Sequence, residues 1–164
     1  MTSSQQSVQD ELSRRFRKAS MVVGAFLVLD VVLVIIAFLA SNSLHRPGDP
    51  SIVMALWIAI LIFGLGAFVL RRTKFAALRL KDIAAVKGVS ALLETLQDTT
   101  IQVASIGGAI ALMGFIIVIL TGDWTNMLRA GGVAAIVLIY CYPFRTAWQR
   151  VVTELGPTDT TVSD

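Results

Sequence analysis

The sequence predicts an all-α integral membrane protein, with four transmembrane helices arranged as two hairpins and a cytoplasmic helical hairpin between spans 2 and 3. Three observations carry that prediction. Hydrophobic residues make up 55% of the 164, too many for an ordinary water-soluble domain. They are gathered into four runs, at about 20–40, 51–70, 101–120 and 127–142, where a soluble core would need only amphipathic faces. Lysines and arginines cluster on one side of those runs: four before the first, six between the second and third, and two after the fourth, against only Arg46 and Arg129 on the other side. Cationic side chains cross oil poorly, so this asymmetry directs both termini and the 71–100 segment to the cytoplasm. The expected location is the plasma (inner) membrane of a bacterium.

Residues 1–19 read as a cytoplasmic amphipathic helix. Ser7 with Asp10 three residues on is an N-terminal capping pattern, and Val8, Leu12, Phe16 and Ala19 recur at helical spacing. Arg14, Arg15, Arg17 and Lys18 crowd its exit toward the first span. A basic flank before an apolar run also describes a secretory signal, but this run is longer than a signal's apolar region and holds Asp30. The segment 20–70 is the first transmembrane hairpin, turned at Pro47, Gly48 and Pro50.

Residues 71–100 form the one long polar interval between spans, and they carry Arg71, Arg72, Lys74, Arg79, Lys81 and Lys87. Phe75, Leu78, Val86, Val89, Leu93 and Leu96 fall on one helical stripe. Gly88 can end a helix in the left-handed conformation and Ser90 can cap the next, so a hairpin with its tip at 87–90 is expected. The competing reading lays the segment on the membrane surface as one amphipathic helix among anionic headgroups. Residues 101–143 are the second transmembrane hairpin, interrupted at Pro143. In the tail, 144–164, Trp148 suits the interface, and the Thr- and Asp-rich end beyond Pro157 is expected to be disordered in part.

The halves also resemble one another. Val23-Gly24-Ala25 parallels Ile106-Gly107-Gly108, and Arg72-Thr73-Lys74-Phe75 parallels Arg145-Thr146-Ala147-Trp148. Two spans per half would give both halves one orientation, as in parallel repeats about an axis along the membrane normal.

Asp30 is the one ionisable residue deep within a span. A carboxyl at the bilayer centre costs about 2.5–3.5 kcal/mol on insertion scales, so it should face protein or water. It reads either as a proton or cation site or as a neutral acid hydrogen-bonded to a neighbouring helix or subunit. Four short spans with one acid in the first resemble the small multidrug resistance transporters in that respect alone; the long 71–100 segment departs from their pattern. In the third span Ala104, Gly107, Gly108, Ala111 and Gly114 make a smooth face suited to close helix packing, and Gly131 and Ala135 offer another in the fourth. These faces serve packing within the chain or a seam between subunits.

One cysteine and one histidine leave no basis for a metal centre, and no cofactor is expected. His45 with Arg46 and Asp49 belongs to a turn, and Cys141 reads as a small buried residue. With no phosphate-binding loop, nucleophile elbow or carboxylate pair, no catalytic residues are assigned. Basic residues tied to spans argue for membrane lipids as partners and against nucleic acid. The expected function is an accessory or scaffold protein that packs with itself or another membrane protein and presents a basic segment to the cytoplasm. The alternative is a small oligomeric ion- or proton-coupled transporter using Asp30.

Overall fold

The computed structural model describes the backbone of residues 3–74 and 77–142, and side chains within them at 10–41, 43–73, 91 and 93–142. These residues form four helices and no strand: α1 (Ser3–Leu44), α2 (Pro50–Lys74), α3 (Ala77–Thr121) and α4 (Thr125–Cys141). Three of them, α1, α2 and α3, contain stretches long and apolar enough to cross a membrane, while α4 is apolar but only 17 residues long. Their outer surfaces match that solvent. Leu39 is 75% exposed and Leu65 68%, and Leu61, Ile62 and Val69 of α2 are exposed with them. Such a surface would aggregate in water and is the expected face toward lipid.

The helix starts follow from local chemistry. Pro50 opens α2, where its missing N–H is no loss, and the Asp49 carboxylate accepts the Ser51 amide at 2.8 Å. That hydrogen bond holds the Asp49 carboxyl below its ordinary range. Between α3 and α4, Gly122 takes φ +71° and its amide donates to Val118 at 2.7 Å, closing the helix. The His45 ring lies over Gly122, so a Cβ there would sit 3.0 Å from the imidazole. Gly122→Ala is expected to cost about 1–2 kcal/mol from the left-handed backbone alone, measured as a lowered midpoint of reversible unfolding in mixed micelles.

Helix α3 is the centre of the bundle. Half of its apolar stretch is buried, against 22% for α1 and 11% for α2. It packs on all three other helices, whereas α1 and α2, consecutive in sequence, scarcely touch. Helices α1 and α2, though joined by a short connection, do not pack on each other as a hairpin; α3 lies against both. This inequality also departs from a two-fold arrangement of halves, since α3 and α4 pack closely while α1 and α2 do not.

Two expectations need correction. Helix α3 runs unbroken from Ala77 to Thr121, so the cytoplasmic hairpin with its tip at 87–90 does not form. One glycine costs a helix only about 1 kcal/mol relative to alanine. The helix-forming residues on either side of Gly88, Ala84 and Ala85 before it and Ala91 to Glu94 after it, outweigh that penalty once propagation is under way. Likewise α1 begins at Ser3 and runs unbroken into the first span, with no proline or glycine before Gly24 to part the approach helix from it. Polar residues pass along α3 without breaking it because their hydroxyls turn back: Thr95, Thr99 and Thr100 donate to the carbonyls of Ala91, Thr95 and Leu96.

The two long helices run in the same direction. At one end the Arg46 amide, just after α1, donates to the Ile119 carbonyl at 2.8 Å. At the other, Ser20 meets the Tyr142 hydroxyl at 3.1 Å, and Cys141 donates to the Thr100 carbonyl at 3.4 Å. With 42 and 45 residues, α1 and α3 extend about 63 Å and 68 Å, twice the thickness of a hydrocarbon core of about 30 Å.

Candidate functional site

Asp30 lies where α1 meets α4. It is eight residues from Phe38, whose ring meets Trp124 edge-on at 5.2 Å, and ten from Ser20 at the Tyr142 contact. At 1.5 Å per residue that places it about 12 Å from one aromatic level and about 15 Å from the other, near the middle of the bundle. The side chain is 4% exposed, and Oδ1 has no hydrogen-bond partner among the described residues. Gly131 of α4 makes room for it: a Cβ built there would fall 3.0 Å from Oδ1, 3.6 Å from Oδ2 and 3.3 Å from Val34 Cγ2. A carboxylate in such a place requires a cation, and a neutral acid requires an acceptor for its O–H. No lysine, arginine or histidine stands in 20–41, 51–70 or 101–121 to supply the charge.

The small residues of α3 set the spacing that buries Asp30. Gly107 and Gly114, seven residues apart on one face, receive α4: Leu138 lies over the first, Ala130 and Met127 over the second. Gly108 receives the Phe26 ring of α1. Ala104 is buried with Val23 and Leu138, and Ala111 belongs to the main apolar core with Ala130 and Ala134. Ala135 is half-buried beside them. The glycines that meet a neighbour within 4 Å thus face other helices of the same chain, as small residues at membrane-helix contacts do.

Of the basic residues singled out in sequence, Arg71 is held at the foot of the bundle. Its guanidinium lies 4.2 Å from the Tyr140 ring centroid, and Tyr140 stacks on Phe68 at 5.4 Å and 28°. Arg71 therefore ties α2 to α4, while Arg72 is exposed. Lys74 ends α2, and Arg79, Lys81 and Lys87 follow along α3; their side chains lie outside the described residues, as do Trp148 and the 144–164 tail. Cys141 is buried and its thiol donates to the Thr100 carbonyl. No group of three potential metal ligands occurs among the described residues.

Sequence reasoning passed over three of these contacts: His45 on Gly122, Phe26 on Gly108 and Ser20 with Tyr142. An aromatic ring and a glycine far apart in a chain announce no pairing, so only the third had a signal, two polar groups at the ends of apolar runs. Comparison with protein-family models, with curated proteins and with solved structures finds no match to this chain.

Proposed function

We propose that this chain is a small polytopic membrane accessory or scaffold protein that packs into a homo- or hetero-oligomeric assembly and presents a basic helical segment to the cytoplasm. One observation carries the reading. The long helices outrun the membrane at one end, and described residues of the projecting parts are packed. Leu12 and Ala19 of α1 and Leu93 and Leu96 of α3 lie at or beyond the level of Ser20, Thr100 and Tyr142, yet each is at most 1% exposed. Counted from the level of Ser20 and Thr100, residues 3–19 of α1 and 77–99 of α3 remain on that side to build a body outside the hydrocarbon core. That body supports a standing projection better than a helix lying on the surface. Its basic composition supports a cytoplasmic position, shared with both termini. Helix α4, flanked by α1 and α3 between the two aromatic levels, is the fourth span.

Mild-detergent co-purification with mass spectrometry tests this, comparing wild type with Arg79→Glu/Lys81→Glu/Lys87→Glu. Wild type should retain another membrane or cytoplasmic chain, and charge reversal should release it without changing the elution volume of the protein alone. Recovery of this chain as a monomer with no other chain attached would remove the main support for a scaffold.

A second reading, an oligomeric proton- or cation-coupled transporter, is favoured by the unpartnered Oδ1 of Asp30 at mid-bundle. A polar route for it would need several copies, because four thin spans with one acid do not enclose one.

A further inference from the structure

We infer that the groove along α1 lined by Ser13, Arg14, Arg17, Lys18 and Met21 seats one anionic glycerophospholipid of the leaflet on the projecting side. The groove is a shallow, open hollow of about 440 Å³ along one helix, and its surface is nearly all apolar, made by the stems of the long side chains rather than by their charged ends. Its lining residues recur at helical spacing, so they share one face over about 12 Å of axis. Three of them are cations and none is an acid. Arg15, by contrast, lies on another face and is spent on Glu11 at 2.9 Å. No carboxylate among the described residues pairs with Arg14, Arg17 or Lys18. Like charges three and four residues apart on a helix repel, and an anion between them relieves that repulsion.

The order of residues along the groove selects the class of anion. Ser13 and Arg14 lie farthest from the apolar run, Arg17 and Lys18 follow, and Met21, 66% exposed, stands just past Ser20, where that run begins. Moving from water toward oil, the residues along the face run from serine and arginine to lysine and then to methionine, with the stems in the hollow and the exposed charges beside it. A glycerophospholipid changes in the same direction, with its phosphate against the cations and the start of an acyl chain against Met21. A free phosphate would leave Met21 without a role, and an acidic peptide would have to enter the bilayer to reach it. The inference depends on α1 crossing a membrane and is independent of the scaffold reading.

Native mass spectrometry of the full chain in detergent tests it. The probes are dioleoyl phosphatidylglycerol, dioleoyl phosphatidylcholine with the same tails, and glycerol 3-phosphate without tails. One phosphatidylglycerol adduct should form, at least tenfold weaker in Arg14→Gln/Arg17→Gln/Lys18→Gln and unchanged in Arg46→Gln/Arg129→Gln at the opposite end. Phosphatidylcholine should bind at least tenfold more weakly, and excess glycerol 3-phosphate should displace nothing. Met21→Gln should weaken the lipid adduct with the cations intact. Equal binding by the triple variant, by phosphatidylcholine, or displacement by glycerol 3-phosphate overturns the proposal. All substituted side chains are exposed, and circular dichroism verifies that the variants keep their helices.

Discussion

Gly114→Val separates α3 from α4 and costs the bundle about 3 kcal/mol or more, toward or past the upper end of what overpacking a well-filled interface costs. The reason lies in what the new side chain meets. A Cβ on Gly114 runs into the Cβ of Ala130 and approaches its Cα, atoms fixed to the backbone of α4 with no rotamer to retreat into. At Gly107 the obstacle is the end of Leu138, which can turn, and at Gly108 it is the Phe26 ring. The order of damage for alanine is therefore Gly114 first, with Gly107 less affected. Gly132 is the internal control. Nothing lies within 4 Å of its missing Cβ, so Gly132→Ala should be silent or gain up to about 1 kcal/mol of helix propensity. Unfolding equilibria in bicelles or mixed micelles give these differences directly. A double-mutant cycle sharpens the test: Ala130→Gly should recover most of the loss caused by Gly114→Ala, because the two methyl groups then no longer compete for one space. Additive losses would show that the α3–α4 contact is not as close as the geometry has it.

Much of this bundle is legible in the sequence because the solvent imposes it. In oil, backbone groups must satisfy one another, so four apolar runs become helices, and small residues at helical spacing become contacts. Ala104, Gly107, Gly108, Ala111 and Gly114 could be read that way without coordinates. Asp30 stands out for a similar reason, since a carboxyl inside an apolar run must find protein or water. What could not be read depends on competition between weak terms. Gly88 and Ser90 carry a stop signal, but it is worth about as much as the propensity of a few neighbouring residues, and the helix went through. The short approach helix before the first span has the same periodicity as its continuation, so nothing local distinguishes two helices from one. The separation of α1 from α2 is a property of the whole packing. Consecutive helices usually pair, and here α3, with more small residues to offer, occupies the place beside both. Arg71 illustrates the remaining limit. Charge counting treats every arginine before the 77–121 helix alike, yet Tyr140, 69 residues away, holds this one on its ring.

Asp30→Val is expected to stabilise the isolated bundle by about 2–3 kcal/mol, most of the insertion cost of a carboxyl at that depth. Valine is somewhat larger than aspartate, and Gly131, with no Cβ of its own opposite residue 30, leaves space on that side. Asn at the same position keeps the polarity and should leave stability near wild type. A residue whose removal strengthens the fold is one the fold does not need, so the two functional readings separate on what else changes. For a scaffold, Asp30→Asn assembles as wild type does, and Asp30→Val assembles too, with a higher unfolding midpoint. For a proton- or cation-coupled transporter, both variants lose flux in proteoliposomes while remaining folded. Chemical labelling supplies a measurement that does not require a known substrate. A neutral carboxyl buried in an apolar contact adds its O–H across a lipid-soluble carbodiimide and then rearranges to a stable N-acylurea, a mass increase readable at residue 30. Asp30→Asn removes that product, and a water-soluble carbodiimide, unable to enter the bundle, should not form it in wild type. Loss of stability in Asp30→Val would reverse the argument: the carboxyl would then be making a hydrogen bond within the bundle that valine cannot replace.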